Sequence, residues 1–167
     1  VYSRLQIEDR MHRWTRGADR NDSDLMLSAF HAGATVDYGT YRGQVEEFVS
    51  WVMTMHTRDL THTSHKIFNM LIELNGDAAT SEAGVDCKLG FVGKEGPCEL
   101  LLLGRYLDRW EKRDGVWKVA HRRSAVDSYR VVPIHIPEEI NPMVEGTNAG
   151  LRSKDDISYQ YISSQGI

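Results

Sequence analysis

Apolar residues return every three to four positions over roughly the first sixty residues, and in alternating blocks over the next seventy. The first rhythm belongs to helices and the second to half-buried strands. Ile7, Met11, Trp14 and Ala18 stand at i, i+4, i+7 and i+11, one stripe on a helix expected over residues 3–17. Asn21-Asp22-Ser23 is a capping signal for a second, short helix that turns Leu25, Ala29 and Phe30 inward. Residues 34–38 read as a strand with Val36 and Tyr38 on one face. A turn over residues 39–43 then leads into a third helix, whose Val45, Phe48, Val49, Val52 and His56 share a side.

After Arg58-Asp59 the pattern is strand over residues 61–74, 78–92 and 99–110, broken at Asn75-Gly76-Asp77 and again between Gly93 and Pro97. Asp114-Gly115 is the strongest hairpin signal, because both positions of its turn need φ > 0. A two-residue loop there sets Lys112 opposite Trp117, Trp110 opposite Val119, Asp108 opposite His121 and Tyr106 opposite Arg123. One face then carries Tyr106, Asp108, Trp110, Trp117, Val119, His121 and Arg123, apolar near the turn and polar further along, like the wall of a lined pocket. The other carries Leu107, Arg109, Glu111, Lys118, Ala120 and Arg122 and reads as wet. A solvated ladder of cross-strand ion pairs is the competing reading, and a bulge would exchange some of these neighbours.

Helices followed by a long meander of strands give an α+β order, three N-terminal helices on a curved, mostly antiparallel sheet that leaves a cone-shaped hollow. Leu100 to Leu103 is apolar on both faces, and such a strand needs cover on its outer side. A partner subunit is the simplest cover. From Val131 onward the chain holds all but one of its prolines and little periodicity, so the expected division is a domain over residues 1–130 and an irregular arm over 131–167. That arm is either packed on a neighbour or partly disordered.

Composition adds exclusions. A formal net charge of −4, with no basic block, argues against a nucleic-acid partner. No apolar run is long enough to span a membrane, and the opening VYSRLQIEDR lacks the apolar stretch of a secretory signal. Cys87 and Cys98 make no disulfide framework and fit a reducing compartment, so the expected location is the cytoplasm. His62 and His65 have ligand-like spacing, but residues three apart on a strand face opposite sides, so no metal is expected. There is no glycine-rich nucleotide motif, and no cofactor is expected.

The order of elements, the ending DGVWKVAHR, the segment His65-Lys66-Ile67-Phe68-Asn69 running into LIELNGDAA, and Asp19 after the first helix carry a resemblance. Over residues 5–130 the chain resembles the SnoaL-like branch of the nuclear transport factor 2-like superfamily. It looks closest to the group holding scytalone dehydratase, bile-acid 7α-dehydratase and hexachlorocyclohexane dehydrochlorinase. The resemblance implies a dyad of Asp19 and His65, a cofactor-independent lyase or isomerase acting on a small, largely apolar ring compound, and a homo-oligomer, trimer before dimer. The dyad is also chemically sensible. An unperturbed imidazole is near half-protonated around neutrality, and a carboxylate on Nδ1 presents Nε2 as the base. Against it stand plainer readings, His65 as a structural residue and Asp19 as a turn-former.

By the same resemblance Tyr38 matches a tyrosine that polarises a substrate carbonyl, and His121 falls where the dehydrochlorinase carries an arginine. Trp14 replaces a polar residue of the group and offers a flat wall with one N–H donor. Tyr106 and Asp108 join the expected pocket wall from the hairpin, and Asp86 is a candidate second acid. Two non-catalytic relatives are the alternatives: the small subunit of a ring-hydroxylating dioxygenase, or a ligand-binding module with an idle histidine.

Overall fold

The structure, a computed structural model, describes residues 1–162. Helix α1 (Tyr2–Asp19) buries the expected stripe, with Ile7 and Met11 fully enclosed and Trp14 and Ala18 nearly so. It stops at a tight turn in which Asn21 takes φ 51°, an αL conformation that asparagine tolerates. Asp22 then caps α2 (Ser23–Ser28), its Oδ1 accepting from the Leu25 amide at 3.1 Å. Gly17 lets the two helices touch, since a Cβ there would lie 2.7 Å from the Met26 amide nitrogen. Asp19 is therefore the last residue of a helix whose end is fixed on both sides.

Strand β1 (Phe30–Asp37) leads through a turn to a short strand β2 (Arg42–Gln44), which pairs antiparallel with it and replaces part of the expected turn. Helix α3 (Val45–Asp59) follows, burying Val45, Phe48, Val49, Val52 and His56. Glu46 and Glu47 sit in its first turn and Arg58 in its last, the charge order that a helix dipole favours. Four long strands complete the sheet: β3 (Leu60–Asn75), β4 (Ala78–Gly93), β5 (Gly96–Arg113) and β6 (Val116–Pro133). The order is β2-β1-β6-β5-β4-β3, antiparallel except where β1 runs parallel to β6. The result is an α+β cone: helices packed on a curved, unclosed and mostly antiparallel sheet.

Two β-bulges decide what faces the cone. In β3 the register shifts between Phe68 and Leu71, where Asn69 holds φ 47°. His65 consequently lies opposite Cys87. In β6 the two-residue loop at Asp114-Gly115 keeps the expected pairs Lys112–Trp117 and Trp110–Val119, after which Ala120 is extra. Beyond it Asp108 faces Arg122 and Tyr106 faces Ser124, not His121 and Arg123. Because side-chain direction has period two, the slip turns Arg122 from the supposed wet face into the core, where it is fully buried.

β6 continues to Pro133, across the expected boundary at 130/131. After two short turns of helix the chain comes back to the body. Arg152 donates to the carbonyls of Leu60 (2.6 Å) and His56 (3.1 Å), and the Tyr159 hydroxyl donates to Asp22 at 2.7 Å. Residues 163–167 of the expected arm lie outside the described residues. No helix among the described residues is long and apolar enough to cross a membrane.

Candidate active site

A cavity of about 220 Å³ opens between the helices and the inner face of the sheet. Trp14 and Ala18 of α1, Phe48, Val52 and His56 of α3, Val85, Cys87 and Leu89 of β4, and Leu102 and Tyr106 of β5 form most of its wall, with Tyr38 and His65. The alternation of β4 explains the selection: Val85, Cys87 and Leu89 point in, while Asp86 and Lys88 point out.

At the wall, Asp19 Oδ1 and His65 Nδ1 are 2.7 Å apart, and the His65 amide donates to Asp19 Oδ2 at 2.9 Å. Two contacts from one carboxylate fix both ring and backbone, so neither side chain can swing without losing a charge-assisted bond. Nε2 of His65 points to the Cys87 sulfur at 3.2 Å. The other side of the pair borders a polar cleft formed with His12, Thr15, Arg16 and Arg20. The pair thus stands between that cleft and the apolar cavity.

Burial works to lower the His65 pKa, but its hydrogen bonds to Asp19 and Cys87 outweigh it and push the imidazole up to about 10. The half-protonated histidine expected from the unperturbed value is therefore corrected: in the resting site His65 favours the imidazolium. His56 stacks behind it, ring centroids 6.5 Å apart. There burial, the like charge of His65 and that of Arg152 lower the pKa to about 4, against a hydrogen bond to Ala18 and the charge of Asp19. Two neighbouring histidines are thus driven in opposite directions, and only one of them carries the proton.

The remaining expected residues divide. Trp14, Tyr38 and Tyr106 line the cavity. The Trp14 Nε1 and the Tyr38 hydroxyl, both buried, complete no hydrogen bond among the described residues, although Arg122 and Tyr106 stand beside the Tyr38 hydroxyl and the Tyr106 hydroxyl beside Trp14. Burial raises both tyrosine pKa values, so both stay neutral donors. Asp108 is buried but spent: it holds Arg122 through two bonds of 2.7 Å, with neither side chain exposed. Burial works to lower the Arg122 pKa, and the Asp108 charge outweighs it. The guanidinium lies 4.1 Å from the Tyr106 ring centroid and 5.0 Å from that of Trp14, so it backs two of the cavity's aromatic walls.

Two expectations fail. His121 sits on the outer side of the sheet, where Nδ1 meets the Thr35 hydroxyl at 2.7 Å, because the Ala120 bulge reversed its face. Asp86 points outward beside Lys88, Leu101 and Tyr129, on the far side of β4 from Cys87. His62 and His65 do not converge either: His62 Nε2 meets Glu99 at 2.8 Å, away from Asp19. Cys87 and Arg122 are the site residues that sequence reasoning missed. Each needs a bulge to be placed, and the one available signal was Asn69, a residue that accepts positive φ in mid-strand.

A family model described as a SnoaL-like domain matches residues 1–123. No curated protein matches the chain. Among solved structures, a type-3 hexachlorocyclohexane dehydrochlorinase from Novosphingobium barchaimii is similar at 20% identity and TM-score 0.71, covering 81% of this chain and 96% of its own. A candidate scytalone dehydratase from Novosphingobium aromaticivorans is similar at 19% identity and TM-score 0.68, covering 81% and 90%. A protein of unknown function with a cystatin-like fold from Nostoc punctiforme is similar at 21% identity and TM-score 0.63, covering 76% and 92%. At these identities the likeness to the solved structures is one of fold.

Proposed function

The chain belongs to the family of SnoaL-like domains, and from that premise we propose that it is a cofactor-independent, dehydratase-like lyase or isomerase acting on a small, largely apolar ring compound. The observation that carries the reading is the 2.7 Å contact of Asp19 with His65 at the wall of an apolar cavity. His65 Nε2, in its neutral form, takes a proton from the carbon next to a substrate carbonyl. Asp19 holds Nδ1–H and stabilises the imidazolium that forms. The enolate oxygen is met by the Tyr38 hydroxyl or the Trp14 N–H, two buried donors that complete no hydrogen bond among the described residues. The imidazolium then returns its proton, either to a departing β-hydroxide, which leaves as water, or to another carbon. The first outcome is dehydration and the second isomerisation.

General-base assistance of this kind supplies about 10²- to 10⁴-fold in rate. Because the resting imidazole favours its protonated form, the rate through this route climbs with pH across the neutral range. The test uses 3-hydroxycyclohexanone, which loses water to give the absorbing product 2-cyclohexenone. Conversion by the wild type that disappears in His65→Gln, with the circular-dichroism spectrum unchanged, supports the role; equal conversion by both rejects it.

The assembly belongs to the same proposal. Leu103, Tyr129 and Val131 are exposed on β5 and β6. A second copy of the chain covering them gives the homo-oligomer, a trimer by family resemblance with a dimer as the alternative. Light scattering of the purified chain decides between these and a monomer.

A further inference from the structure

Cys87 is not a lone thiol: Asp19, His65 and Cys87 form a continuous chain of contacts, 2.7 Å from carboxylate to Nδ1 and 3.2 Å from Nε2 to sulfur. A base held by a carboxylate and touching a sulfur is the arrangement that activates a thiol nucleophile. The sulfur lies on the wall of the 220 Å³ cavity, whose other lining side chains are mostly apolar. The same cavity presents two polar groups that complete no hydrogen bond among the described residues, the Trp14 Nε1 on a side chain only 3% exposed and the Tyr38 hydroxyl. Together these are a soft nucleophile, a proton carrier and hydrogen-bond donors around a space the size of a small ring.

We propose that Cys87, His65 and Asp19 act as a nucleophilic triad that reversibly captures small cyclic α,β-unsaturated ketones as thioethers. The sulfur, as thiolate, adds to the β-carbon. The π pair of the C=C bond moves onto the α-carbon and carbonyl oxygen, where Trp14 or Tyr38 donates to it. The proton on His65 Nε2 then moves to the α-carbon, leaving a neutral thioether and a neutral imidazole. Release runs backwards: Nε2 removes the α-proton and the thiolate departs, so no oxidant or reductant is needed. A thiolate next to an imidazolium reacts at pH values where an ordinary thiol is almost wholly protonated. The proposal shares its residues with the lyase reading but needs no turnover of a hydroxy ketone.

The experiment incubates the full chain with 2-cyclohexenone between pH 6 and 9, with adducts located by peptide mass spectrometry. Cys98, part-exposed and bonded only to the Gly96 carbonyl among the described residues, is the internal reference. The expected result is one adduct on Cys87, formed faster than on Cys98 and nearly independent of pH. A thiol with no base beside it instead reacts about tenfold faster per pH unit while it is mostly protonated. His65→Ala slows Cys87 by about tenfold or more and restores the steep pH dependence, with Cys98 unchanged as the sign of an intact fold. Should that variant not fold, the flat pH profile of Cys87 in the wild type carries the test by itself. Cys87 reacting no faster than Cys98, or with the same pH slope, or unaffected in a folded His65→Ala chain, overturns the triad. The lyase reading is scored separately, by water loss from 3-hydroxycyclohexanone, so either can fail alone.

Discussion

Replacing Asp19 by Asn keeps the shape of the side chain and removes what the proposed dyad depends on. The carboxylate offers acceptors to both the His65 amide (2.9 Å) and Nδ1 (2.7 Å). An amide has one oxygen for these two donors. If it stays on the backbone N–H, its NH₂ faces Nδ1, which must then become the acceptor, and Nε2 carries the proton in the neutral ring. The base has become the wrong tautomer. If the oxygen turns to Nδ1 instead, two N–H groups confront each other in a site where His65 is only 10% exposed. Either way a charge-assisted bond worth about 1.5–3 kcal/mol is replaced by a neutral or repulsive contact. The charge that stabilises the imidazolium in the transition state is lost as well. A loss of about 10²- to 10⁴-fold in kcat/KM follows, about 3–5 kcal/mol of barrier. The assay is the rise of 2-cyclohexenone absorbance from 3-hydroxycyclohexanone. In parallel, nitrogen NMR of His65 reads the tautomer directly and should show a lowered pKa. A folded Asp19→Asn chain within threefold of wild-type kcat/KM, with the His65 pKa and tautomer unchanged, refutes the reasoning.

Three further outcomes follow from the same geometry. Cys87→Ala removes one of the two contacts that hold the His65 pKa up, so the rising limb of the pH–rate profile should move to lower pH; a limb that stays in place contradicts the assigned contact. Asp108→Ala leaves Arg122 charged and unpaired in the core and should cost about 3–5 kcal/mol by urea unfolding, whereas combining Asp108→Leu with Arg122→Met should recover most of it. The two histidines give opposite pH limbs of stability. His56, lowered to about 4, takes up a proton more readily when unfolded, so its contribution falls by up to about 3 kcal/mol as pH drops from 6.5 toward 4. His65, raised to about 10, contributes fully below 6.5 and loses that contribution as pH rises toward 10. Urea unfolding of His56→Gln should therefore show a shallower acid limb than the wild type, and an identical limb contradicts the assignment.

Legibility in the sequence followed the reach of each signal. The stripe Ile7, Met11, Trp14 and Ala18 and the cap at Asp22 are local, so α1 was readable, though it runs on to Asp19 where its end was expected at residue 17. The hairpin pairs next to Asp114-Gly115 were equally local and hold in the structure. What failed lay past a bulge. One extra residue at Ala120 exchanged Arg122 for His121, and the irregularity at the Asn69 corner brought Cys87 across from His65. A bulge has no periodic signature, and every residue beyond it changes face. The return of Arg152 and Tyr159 to the body was also unreadable. It rests on side-chain hydrogen bonds spanning more than ninety residues, which no local pattern encodes.

The most direct measurement is the fate of the carbon-bound hydrogen itself. Wild type and His65→Gln are given 3-hydroxycyclohexanone deuterated at the carbon between the carbonyl and the carbinol, and the rate of enone formation is compared with that of the undeuterated compound. Removal of that hydrogen by His65 predicts a primary isotope effect in the wild type and loss of turnover in His65→Gln. Turnover without an isotope effect, or turnover that survives the loss of the imidazole, would mean that some other group does the work.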